Sequence, residues 1–89
     1  MEIVFKGPTF YCQEDEEHFF NWLYSIPAFK EVVGQGLELY LSLEEKVDQN
    51  SLEQLLVIFK RWELDLKSLE PLKELMQKSS LPWVQNISK

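Results

Sequence analysis

Leu37-Glu38-Leu39-Tyr40-Leu41-Ser42-Leu43 alternates leucine with polar or amphipathic residues, the period-two signature of a strand with one buried and one wet face. A strand of this kind suits an antiparallel sheet covered on one side. The four leucines are expected to share the buried face. Immediately upstream, Gly34-Gln35-Gly36 reads as a hairpin turn, and residues 29–33 before it read as a short strand.

Downstream of this strand, Leu52, Leu55, Leu56 and Phe59 recur at helical spacing, with Val57, Ile58 and Trp62 widening the apolar surface. Asn50, followed three residues later by Glu53, resembles a capping arrangement that starts this helix. Lys60 and Arg61 fall where the negative end of the helix dipole favours cations. Ser68 is expected to cap a third, shorter helix with Pro71 in its first turn and Leu69, Leu72, Leu75 and Met76 on its apolar side. Residues 83–88 complete the reading as a last strand.

Toward the N-terminus, Glu2-Ile3-Val4-Phe5-Lys6 is β-branched and aromatic, and Gly7-Pro8 halts it, which predicts a first strand. Glu14, Asp15, Glu16 and Glu17 precede a stripe of Phe19, Phe20, Leu23 and Ile26. Acids in a first turn complement the positive end of a helix. Pro27 lacks an amide donor and disfavours helical geometry at Ile26, so this helix should stop near Ser25. The 89 residues therefore predict one α+β domain over residues 1–89. It has a small, mainly antiparallel sheet with three helices packed mostly on one face, in the order β-α-β-β-α-α-β.

Fifteen acids against nine bases leave a net charge of -6, which repels nucleic acid and anionic membranes and attracts basic proteins. The charge is uneven. Residues 1–45 carry Glu2, Glu14, Asp15, Glu16, Glu17, Glu31, Glu38, Glu44 and Glu45 against Lys6 and Lys30, a balance of -7. No basic segment leads into an apolar leader-like run, and no apolar run approaches a membrane span. The expected location is cytoplasmic.

A single Cys and a single His exclude an intramolecular disulfide framework and a zinc site built from those two residue types. Cys12 and His18 flank the start of the first helix, but the four neighbouring acids disfavour a thiolate there. Cys12 is read as a small packing residue and His18 as a helix-surface residue. Glu14 and His18 share a helical side, yet two ligands do not make a metal site. Asp48-Gln49-Asn50 begins like a calcium loop, but Leu52 and Glu53 stand where that loop needs an oxygen ligand and a glycine. Lys60-Arg61-Trp62 is read as a helix end rather than a base-stacking patch. No catalytic, cofactor or metal residues are assigned.

These readings predict a noncatalytic acidic protein-binding domain, of the inhibitor, immunity-protein or antitoxin kind, that covers a basic partner. Glu14, Asp15, Glu16, Glu17, Glu44 and Glu45 are the candidate contact residues, acting by electrostatic steering. The alternative is a self-assembling structural or adaptor domain, a homo-oligomer using a strand edge and surplus aromatics such as Tyr24, Tyr40, Trp62 and Trp83.

Overall fold

Leu41 and Leu43 lie fully buried on the central strand of an antiparallel sheet that has three strands among the described residues. The computed structural model describes residues 1–78. Within them β1 (Glu2–Lys6), α1 (Gln13–Ser25), β2 (Phe29–Gln35), β3 (Glu38–Leu43), α2 (Gln49–Arg61), a 3₁₀ helix (Leu66–Leu72) and α3 (Lys73–Gln77) follow in that order. The fold is α+β, as the hydrophobic periodicities predict. The expected strand at 83–88 lies outside the described residues.

The sheet order is β1-β3-β2, so the strand with the strongest alternation takes the centre and pairs on both sides. Ile3 faces Leu41 across one ladder, and Val32 faces Leu41 across the other. Ile3, Phe5, Leu41 and Leu43 point into a core completed by Phe19 and Leu23 of α1, Leu52, Leu55, Leu56, Ile58 and Phe59 of α2, and Leu69, Leu72 and Met76 beyond it. Phe5 and Phe59 meet at 4.8 Å between ring centroids, which seats α2 over β1. Truncating a ring this deeply buried removes about 3 to 5 kcal/mol. The opposite face carries Val4, Tyr40 and Val33 side by side across the three strands. Val4 and Val33 there are exposed.

Several local expectations are corrected. Leu37 does not join the buried leucine row: it is 76% exposed, because the hairpin turns at Gly36-Leu37 rather than at Gly34-Gln35-Gly36. Gly36 has φ 61° and is the first central residue of a two-residue turn. The type II′ geometry places glycine there without steric cost. Gly34 and Gln35 instead extend β2, paired with Leu39 and Glu38.

The cap of α2 is Asp48, not Asn50. Its carboxylate accepts from the Ser51 amide at 3.1 Å and from the Ser51 hydroxyl, so the helix begins earlier and Asn50 lies inside its first turn, accepting from the Gln54 side chain at 2.7 Å. The Ser51 hydroxyl, itself fully buried, also accepts from the Ala28 amide at 3.1 Å and anchors α2 to the start of β2. Ser68 likewise does not begin the third helix. Asp65 accepts from the Lys67 amide at 2.9 Å and opens a 3₁₀ helix that contains Pro71, and α3 starts only at Lys73.

Candidate protein-binding surface

The acids of α1 separate into two kinds. Glu14, Glu16 and Glu17 are exposed on its first turns, where they oppose the positive end of the helix. Asp15 is half-buried and fully engaged. One of its oxygens accepts from the Trp62 indole at 2.9 Å, and the other accepts from the Tyr11 amide at 3.1 Å. Asp15 thus ties the β1–α1 connection and the end of α2 to the start of α1, and its carboxylate is spent on that junction.

Glu44 and Glu45 are exposed but distant from this group. The Glu44 amide donates to the Ala28 carbonyl at 2.8 Å, which places the pair beyond the C-terminal end of α1. Thirteen helical residues rise about 20 Å, so the six candidate acids occupy opposite ends of a helix instead of one cluster. Cys12 is exposed at the N-cap of α1 and makes no side-chain cap bond, so it is not the packing residue expected. His18 is exposed on the helix surface, as expected.

An open groove of about 1040 Å³ runs along one flank of α1, bordered by Tyr11, Asp15, His18, Trp22, Arg61 and Trp62. Trp22 meets Trp62 edge-on at 6.3 Å, and its indole donates to Gln54 of α2 at 3.0 Å. The Arg61 guanidinium lies 6.0 Å from the Trp22 ring centroid, within reach of a cation–π attraction. Beside it, α2 ends with the Leu64 amide bonded to the Phe59 carbonyl at 2.8 Å and the Glu63 amide to the Lys60 carbonyl at 3.3 Å. These two bonds form a Schellman motif that puts Glu63 at φ 54°, in the left-handed region.

The other flank of α1 carries a shallow hollow of about 560 Å³ lined by Glu16, Glu17, Phe20 and Tyr24. Phe20 and Tyr24, one turn apart, stack at 6.3 Å, and Tyr24 meets Phe29 of β2 edge-on at 5.3 Å. Tyr24 remains 56% exposed. Acid spacing alone does not single out this strip. Its sequence signal is the i, i+4, i+7, i+11 recurrence of Gln13, Glu17, Phe20 and Tyr24 beside the buried stripe.

Among the described residues no group of three His, Cys, Asp or Glu side chains is arranged to hold a metal ion, and no helix is long and apolar enough to cross a membrane. Comparison of the chain with family models, with curated proteins and with solved structures finds no match.

Proposed function

We infer that this chain is a noncatalytic protein-binding domain that presents α1 to a basic partner, in the manner of an inhibitor or immunity protein. The observation that carries this reading is the position of exposed Glu14, Glu16 and Glu17 on a helix whose two flanks both offer partly exposed aromatic rings. Carboxylates in solvent steer an oppositely charged protein toward the helix. Tyrosine, tryptophan and arginine beside them are the residue types that most often carry binding energy once water is excluded. Asp15, committed to Trp62, holds the platform together and drops out of the contact set. A cytoplasmic location accompanies this reading, supported by the single exposed thiol of Cys12, which a reducing compartment keeps free.

The test is the association rate with the partner recovered from native lysate, measured at low and high salt for the parent and for a Glu14→Gln, Glu16→Gln, Glu17→Gln variant. The variant should associate about tenfold more slowly at low salt, with a flatter salt dependence. An unchanged rate in a folded variant overturns the reading and leaves these acids as solvated charge that offsets the helix dipole.

A further inference from the structure

β2 is an edge strand: it pairs with β3 on one side, and among the described residues nothing pairs with the other. Its two halves differ. A register shift between Phe29 and Glu31 places Lys30 in a bulge, and a bulge with charged neighbours blunts an edge against uncontrolled pairing. From Val32 to Gln35 the ladder is regular, with Val32 half-buried on the inner face and Val33 exposed on the outer.

What lies beside this edge follows from the packing of the two long helices. α2 sits over β1 through Phe59 and Phe5, and α1 meets α2 through Trp22, Gln54 and Trp62. The flank of α1 turned away from α2 is the one bearing Phe20 and Tyr24, and Tyr24 reaches Phe29 of β2. That flank therefore lies on the β2 side of the helix layer and reaches the strand at Phe29, where the open edge begins. The edge supplies backbone donors and acceptors, and the flank supplies aromatic surface for alternate side chains of whatever pairs there. Together these are the two parts needed for recognition by strand addition.

Resting on the protein-binding reading above, we propose that β2 and α1 form a strand-addition groove for an extended, lysine- or arginine-bearing segment of the partner. That segment pairs with Val32–Gln35 and lays alternate side chains along Phe20, Tyr24 and Phe29. Charge selects the occupant. Glu16 and Glu17 line the hollow on this flank of α1 beside Phe20 and Tyr24, and Glu31 lies exposed on β2, whose one cation is Lys30. A second copy would bring another chain of net charge -6 to the same edge, which like-charge repulsion opposes. Long basic side chains fit this surface in both parts, since their methylene stems cover aromatic rings while their heads reach carboxylates.

The experiment uses the full chain and two blocked eight-residue peptides, one alternating lysine with valine and the other glutamate with valine, followed by amide hydrogen exchange and NMR. The lysine peptide should slow exchange of edge-facing amides within Val32–Gln35 by about tenfold or more and shift the Tyr24 ring resonances. The glutamate peptide should bind about tenfold more weakly, and Glu16→Gln with Glu17→Gln should weaken the lysine peptide about threefold to tenfold. Lysine-peptide binding that shifts α1 but leaves the β2 amides unprotected overturns the groove and spares the basic-partner reading. Equal protection by both peptides overturns the charge selection and that reading with it. Amides already protected in the free chain overturn the open edge itself, and amides unaffected by either peptide overturn the groove.

Discussion

The Trp62 indole donates to the Asp15 carboxylate at 2.9 Å across 47 residues of chain, joining the end of α2 to the first turn of α1. The same carboxylate accepts from the Tyr11 amide at 3.1 Å. Phe19 packs edge-on against Trp62 at 5.2 Å directly beneath this junction. Among four consecutive acids, the one turned toward α2 has become structural, and its neighbours remain in water.

Asp15→Ala should lower stability by about 1.5 to 3 kcal/mol, the range for hydrogen bonds to a charged acceptor, and Trp62→Phe should reproduce part of that loss. Glu14→Gln and Glu16→Gln should each cost no more than about 0.3 to 1 kcal/mol. Urea denaturation checks the contrast. Equal midpoints for Asp15→Ala and Glu16→Gln would show that the Trp62–Asp15 bond contributes nothing net.

At the other end of the core, the hydrogen bond from the Ser51 hydroxyl holds the Asp48 carboxyl below the usual carboxylate range. A carboxylate whose folded pKa is depressed contributes stability that is present above its unfolded pKa and is lost as pH falls through the folded value. The stability difference between the parent and Asp48→Asn should therefore be constant above about pH 5 and shrink below about pH 4. Ser51→Ala should cost about 1 to 3 kcal/mol at neutral pH, because it also leaves the Ala28 amide without its acceptor. A parent-minus-variant difference that grows on acidification would contradict this assignment.

Glu63 occupies the C′ position of the α2 Schellman motif at φ 54°, where glycine avoids a steric cost of about 1 to 2 kcal/mol. Part of that gain is offset by the greater backbone freedom of glycine in the unfolded chain. Glu63→Gly should raise stability by about 0.5 to 1 kcal/mol, seen as a higher urea midpoint with an unchanged slope. A lower midpoint would mean that the Glu63 side chain contributes more to this end of the helix than its strained backbone costs.

The local patterns of the sequence determined the elements. Leucine alternation marked β3, the Leu52-Leu55-Leu56-Phe59 stripe marked the buried face of α2, and Pro27 marked the end of α1, because side-chain periodicity and proline geometry act within one or two turns of chain. Leu37 and Asn50 departed from those patterns through equally local rivals, the glycine at position 36 that starts the turn and the aspartate at position 48 that caps more completely. Only the tertiary structure decided that β3 lies between β1 and β2, that Trp62 engages Asp15, that Glu44 and Glu45 stand a helix length from Glu14, and that Tyr24 of α1 packs against Phe29 of β2. Periodicity specifies which face of an element must be buried, but not against which distant element. That choice rests on the joint packing of all the buried faces, which no single segment encodes.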